Sequence, residues 1–206
     1  MSTARLAVPP GRAGRLWLVQ RLAVAHRAGD LLDRKLQVLT AELERAQAAA
    51  RDSGQEWDAA CRDAQRWLLR AVLLGGERAV RLAGVADAEV TITYTVTMGA
   101  RHPSGGQYTM GEPEGWDGAA VAQARQAHRA ALAAAVRHAA ATAAVAVMQA
   151  ETDATRYRLR AIRDRWLPRL SQALAEVEFV LEEQERADAA RLRRSREPGL
   201  SRSAAR

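Results

Sequence analysis

Lysine occurs once in 206 residues, at Lys35, and no glycine-rich loop precedes it. A phosphate-binding loop needs a lysine behind a run of cradling backbone amides, so any nucleotide hydrolysis belongs to another chain. Cysteine also occurs once, at Cys61, which excludes an internal disulfide and points to a reducing compartment. The four histidines, His26, His102, His128 and His138, show no zinc-ligand spacing. No catalytic residue, metal or cofactor is expected. The most apolar stretch, residues 139–148, is mostly alanine and falls short of the roughly 20 residues that cross a bilayer, so no direct membrane span is expected. The N-terminus, with Pro9 and Pro10 among arginines, lacks the apolar centre of a secretion signal. These absences together predict a soluble intracellular protein.

Aromatics are scarce as well: five Trp, three Tyr and one Phe, against 46 Ala. Large anchors for a thick core are therefore few, and an Ala-, Arg- and Glu-rich chain favours long helices packed at close range. Thirty-one basic residues face 24 acidic ones, giving a net charge of +7. Much of that excess lies at the C-terminal end, where residues 186–206 hold seven arginines against Asp188 and Glu197. A basic balance implies a polyanionic or acidic partner and does not require nucleic acid.

From Leu18 an apolar seam runs in alternating steps of four and three, through Leu22, Ala25, Gly29, Leu32, Leu36, Leu39 and Leu43 to Trp57, Ala64, Trp67, Ala71 and Leu74. A mean step of 3.5 over about eight heptads predicts a left-handed coiled coil. At 1.5 Å per residue this helix would be on the order of 85 Å long. A second seam runs from Ala120 through Ala131, His138, Met148, Thr155 and Ile162 to Trp166, then takes steps of four to Leu170 and Leu174. Consecutive fours are a stutter, which relaxes supercoiling, and Pro168 inside it predicts a kink. Trp57, Trp67 and Trp166, and His138 with them, read as seam packing rather than as ligands. Glu182, Glu183 and Glu185 read as a solvated helix face.

Between the seams the period changes to two. Val90, Ile92, Tyr94, Val96 and Met98 alternate with threonines, and a turn-forming run over residues 99–106 leads to Tyr108 and Met110. A β-hairpin with a loose loop is predicted. The fold class is mainly α: a long antiparallel two-helix coiled coil of the N- and C-terminal helices, with a short β-hairpin and helix breaks in the middle. The expected organisation is an N-terminal tail (1–15), an N-terminal coiled-coil helix (16–75), a middle segment with the hairpin (76–118), a C-terminal coiled-coil helix (119–194) and a basic disordered tail (195–206).

Residues 29–39, Gly-Asp-Leu-Leu-Asp-Arg-Lys-Leu-Gln-Val-Leu, resemble the N-terminal helix motif of the D subunits of the V-type and A-type rotary ATPases, in which a small residue, a Leu pair and a Lys precede a further Leu. Gly29, Leu32, Lys35 and Leu39 carry that likeness. Residues 155–162, Thr-Arg-Tyr-Arg-Leu-Arg-Ala-Ile, resemble the family's Thr-Arg-Arg-Arg-Val-Asn-Ala-Leu through Thr155, Arg156 and Ala161. Leu167-Pro168-Arg169-Leu170 resembles its Ile-Pro-Arg-Leu, and residues 181–186 its acidic helix end. Arg160 stands where the family usually has Asn, and Arg163 where Glu is usual, so both departures add positive charge.

The resemblance implies a non-catalytic central-stalk rotor, turning inside a hexamer of catalytic and non-catalytic subunits and coupling proton or sodium translocation to ATP synthesis or hydrolysis. It implies contacts with the F subunit of the stalk and with the collar subunit above the membrane proteolipid ring, on the cytoplasmic face. Which ion moves, and in which direction ATP turns over, are set by other chains. Expected partner contacts are the strand residues Val90, Ile92, Tyr94 and Val96 and the tail residues Arg191, Arg193 and Arg194. Two other classes compete. A non-rotary coiled-coil scaffold accounts for the seams but not for the hairpin between them. A basic nucleic-acid-binding protein accounts for the charge, yet the aromatics sit mainly on the seams and the strand, poorly placed to stack on bases.

Overall fold

The computed structural model describes residues 6–83, 87–111 and 118–196. The chain is mainly helical: α1 (Gly11–Leu82), β1 (Ala88–Thr97), β2 (Ala100–Met110), α2 (Ala119–Arg160), a π-helical turn (Ala161–Trp166) and α3 (Leu167–Arg196). The elements form two units, Met1–Arg34 with Arg156–Arg206, and Lys35–Thr155. Of the basic tail at 195–206, only Ser195 and Arg196 lie inside the described residues.

No proline interrupts α1, and its Ala, Leu, Arg and Glu content favours helix throughout. It starts after Pro9 and Pro10, at Gly11 with φ 70°, and is broken at Gly76, where φ 78° and ψ 159° leave helical space. That break explains one departure from the predicted seam. Leu74 is 79% exposed, because the helix loses its phase within two residues of it.

In the first unit the start of α1 runs antiparallel to α3. Leu18 and Ala25 pack on Leu170, with Leu22, Leu167, Leu174 and Val177 around them. Three cross-helix ion pairs follow the same direction: Arg12 to Glu185 at 3.2 Å, Arg15 to Glu178 at 2.8 Å and Asp33 to Arg163 at 2.8 Å. Leu6 and Val8 fold back onto this core. The fold-back requires Gly14, since any Cβ there would overlap the Pro9 carbonyl oxygen.

The kink predicted at Pro168 takes a definite form. Proline has no N–H, and its ring collides with the carbonyl four residues back, so an α-helical turn cannot close there. The turn before it widens instead, and the Leu167 N–H donates to the Ile162 carbonyl five residues back. This is where the seam steps by four to Leu170, which is fully buried, while Trp166 at the end of the wide turn lies at the exposed edge.

In the second unit the rest of α1 runs antiparallel to α2, with Lys35 on Glu151 at 2.7 Å and Glu56 on Arg137 at 3.4 Å. Ala64 packs on Ala127 and Ala131, and Ala71 on Val121 and Ala124. Alanine on both sides lets the helices approach closely. α2 opens on the Gly118 carbonyl, which accepts from the Val121 and Ala122 amides at 2.9 and 3.0 Å.

β1 and β2 pair antiparallel from Ala88 opposite Met110 to Thr97 opposite Ala100. Of the loose loop expected over residues 99–106, all from Ala100 on is instead strand, and the turn is two residues, Met98 with φ 50° and Gly99 with φ 85°. Two successive positive φ values suit a turn whose twist matches the strands. Pro103 is accommodated because the register shifts between Thr93 and Tyr94, leaving Ser104 as an extra residue in β2. The hairpin lies on the helices. Ala100 joins Leu39, Leu43 and Met148 in a buried cluster, and the Tyr108 hydroxyl donates to the Arg129 carbonyl at 2.9 Å.

The helical run Ala119–Ser195 contains an 18-residue window of mean hydropathy 1.6, long and apolar enough by length and composition alone to cross a membrane, and a third of that window is buried. This corrects the length argument drawn from residues 139–148, because alanines before Arg137 and His138 extend the apolar stretch. Ala131, Ala134, Val136, Ala140 and Ala144 are core residues of α2 in this fold.

Candidate subunit-contact surfaces

The motif residues on α1 and α2 do two jobs: close packing and cross-helix pairing. Gly29 is buried, and a Cβ at its position would lie 4.0 Å from Ile162 Cγ2, an ordinary contact. Leu32 is half-buried, and Leu39 is fully buried against Leu43, Ala100 and Met148. Lys35 donates through Nζ to Glu151 Oε1 from a half-buried position. Thr155 is fully buried, as is Thr152 one turn before it, and neither hydroxyl has a hydrogen-bond partner among the described residues. Arg156 is half-buried, Ala161 opens the π-helical turn and Pro168 is exposed on α3.

Of the two departures from the family pattern, Arg163 has a visible counterpart. Its Nη2 donates to Asp33 Oδ2 at 2.8 Å, so the added charge is matched from within the α1 motif. Arg160 is exposed, and no hydrogen bond or ion pair involves it among the described residues.

His138 sits between Ser53 and Trp57. Its Nδ1 is 3.2 Å from Ser53 Oγ, and its ring stacks on the Trp57 indole at a centroid distance of 5.5 Å. A Cβ at Gly54 would come within 3.2 Å of His138 Cε1. A ring so enclosed acts as a packing piece at the helix–helix contact, which agrees with the seam reading. Beside it a cleft of about 460 Å³ is floored by alanines of α1 and α2 and walled by His102 to Gly105 of β2. Among the described residues no group of three or more His, Cys, Asp or Glu side chains could hold a metal ion.

The strand residues divide. Ile92 is half-buried, with Gly106 opposite it, and a Cβ on Gly106 would lie 2.7 Å from Val136 Cγ1 and 3.1 Å from Ile92 Cδ1. Val90, Tyr94 and Val96 are exposed, Val96 to 64%. The register shift at Thr93/Tyr94, which adds local twist, falls between the half-buried Ile92 and the exposed Tyr94 and Val96. Over Tyr94 lies the Arg101 guanidinium, 4.4 Å from the ring centroid.

At the C-terminal end of α3, Arg191 pairs with Asp188 at 3.2 Å, and Arg193 Nε donates to the Ala189 carbonyl at 3.4 Å. Arg194 is exposed with no such partner among the described residues. Sequence reasoning missed a second buried stripe on α2, Val136, Ala140 and Ala144, which stands next to the hairpin. Its spacing of four was present in the sequence, but α2 is apolar or small on nearly every side, so no face stood out.

No curated protein matches the chain significantly. A family match covers residues 16–197 and is described as the D subunit of ATP synthase. The match spans both helical seams and the hairpin between them, most of the chain. The protein therefore belongs to the ATP synthase D-subunit family, the non-catalytic stalk subunits of rotary ATPases.

Proposed function

We propose that this chain is the central rotor shaft of a V/A-type rotary ATPase, in which the N- and C-terminal helices form an antiparallel coiled coil inside the hexamer of catalytic and non-catalytic subunits. The observation that carries this reading is the antiparallel pairing of α1 with α3 in one unit, through Leu18, Ala25 and Leu170, and with α2 in the other, where Lys35 meets Glu151. Interlocked seams resist slip, so torque is carried by packing rather than by chemistry. An asymmetric shaft favours a different state at each catalytic interface, and that differential binding couples rotation to ATP turnover. Rotation is in turn driven by, or drives, the movement of protons or sodium ions through the membrane ring.

In this reading Gly29, Leu32, Lys35, Leu39, Thr155, Arg156, Ala161 and Pro168 shape and lock the shaft. The hairpin face meets the F subunit or the collar subunit at the foot, and Arg191, Arg193 and Arg194 meet the ring at the tip. The protein is a peripheral part of the complex on the cytoplasmic face. The test is ATPase rate and ATP-driven ion pumping in the assembled complex. Leu32→Asp with Leu39→Asp should uncouple it, because unpaired charge at the fully buried Leu39 position, with a second at the half-buried Leu32, costs several kcal/mol. Arg193→Ala should barely change either rate, since exposed charge contacts are worth about 0 to 1 kcal/mol. The reverse pattern would sink the rotor reading.

A further inference from the structure

We propose that the outer edge of β1 accepts an extended, acid-bearing segment of another subunit as a third strand, so that the hairpin holds its partner by backbone pairing as well as by side chains. This deepens the reading of the hairpin as a partner contact and rests on it. The hairpin is a two-stranded sheet, and β1 is paired along one side only. Among the described residues no backbone hydrogen bond outside the helices and the hairpin ladder involves β1. All of β1 except Ile92 and Thr97 is exposed.

The turn sets which groups are free. Thr97 and Ala100 flank the two-residue turn at Met98 and Gly99 and face each other in the ladder. Such flanking residues exchange the closing hydrogen bonds, so the N–H and C=O of Val96, and of Tyr94 two residues back, point away from β2. An open edge of this kind is normally blunted by proline, a cation or a bulge. β2 has such devices in Pro103 and the extra Ser104. β1 has no proline and no basic residue in ten positions, and its one charge is Glu89 at the base. The edge that lacks protection is therefore the one beside the exposed Tyr94 and Val96.

The charge at this edge selects the occupant. Arg101 stands opposite Val96, with its guanidinium over the Tyr94 ring, and no carboxylate pairs with it among the described residues. A strand laid along β1 would bring its side chains beside Tyr94 and Val96, within reach of that cation. The matching segment carries β-branched or aromatic residues and one carboxylate for Arg101. A second copy of this chain, net +7, suits the site poorly.

The experiment is amide hydrogen exchange, resolved to single residues, on the full chain alone and in the complex purified from cells. Tyr94 and Val96 amides should exchange more slowly by at least about tenfold in the complex. Arg101→Glu should weaken association, and Arg101→Gln should weaken it less. Unchanged exchange at both amides, in a complex that still needs the hairpin, would overturn edge pairing and leave the side-chain contact standing. If deleting residues 90–110 leaves assembly intact, the partner-contact reading fails and the edge proposal falls with it. Slow exchange in the isolated chain together with a dimeric mass would assign the edge to a second copy and overturn the acidic partner.

Discussion

The only lysine of the chain, Lys35, reaches across from α1 to place its Nζ 2.7 Å from Glu151 Oε1 on α2, with both side chains about three-quarters buried. The pair locks one turn of α1 to one turn of α2, where alanine and threonine packing alone would tolerate a shift. We expect Lys35→Ala and Glu151→Ala each to destabilise the chain by about 1 to 3 kcal/mol, since either leaves a desolvated charge without its partner. The double variant should cost less than the two single effects added together. Urea unfolding of all three variants checks this, and strict additivity would show that the pair contributes no coupling.

The Asp33–Arg163 contact at 2.8 Å joins two roughly half-exposed side chains, so Arg163→Ala should cost at most about 1 kcal/mol. Arg163→Glu, which restores the residue usual in the family, should cost more than the alanine change because it sets two carboxylates against each other. Exchanging the charges with Asp33→Arg should recover most of that loss. Thermal unfolding at low and high salt reads the effect, and screening should shrink it.

Gly106 is where the hairpin comes closest to α2. A methyl group there would lie 2.7 Å from Val136 Cγ1 and 3.2 Å from the Val136 carbonyl oxygen, so the strand must move away from the helix. Gly106→Ala should destabilise the hairpin's seat by about 1 to 3 kcal/mol. Val136→Ala should recover part of this by removing the nearer obstacle but not the carbonyl. Native-state hydrogen exchange of the Thr91 and Gln107 amides, which face each other across the ladder, would report the loss. No change in their protection would mean that the contact is not close in solution.

Thr152 and Thr155 are fully buried, with hydroxyls that find no partner among the described residues. Replacing each by valine keeps the shape and removes the desolvated oxygen. The expected gain is about 1 kcal/mol per site, seen as a higher urea midpoint with an unchanged slope. A lower midpoint would show that the hydroxyls are bonded in solution, which gives Thr155 a structural reason to be part of the motif.

Much of the helical core was legible because its signal is local and repeated. Leu18, Ala25, Leu39, Leu43, Ala64 and Ala71 on α1, and Ala131, Met148, Thr155 and Leu170 on the second helical run, all lie on the predicted seams and all are buried. The hairpin was legible as alternation in β1. It was misread in β2, where Pro103, Ser104 and the paired glycines resemble loop chemistry. What makes those residues strand is their pairing with β1 and their seat on α2, and neither leaves a trace in local sequence.

By itself, then, the sequence determined the helix phases, the site of the break before Leu170 and the existence of a two-residue period in the middle. A 3.5-residue repeat, a proline and an alternation each act through neighbours a few positions away. Only the tertiary structure decided that Arg163 answers Asp33, and that the alternating face of β1 divides into a seated Ile92 and an exposed Tyr94 and Val96. Those outcomes depend on distances between segments far apart in the chain. Several side chains of similar size and charge could have met there, and close packing selected among them.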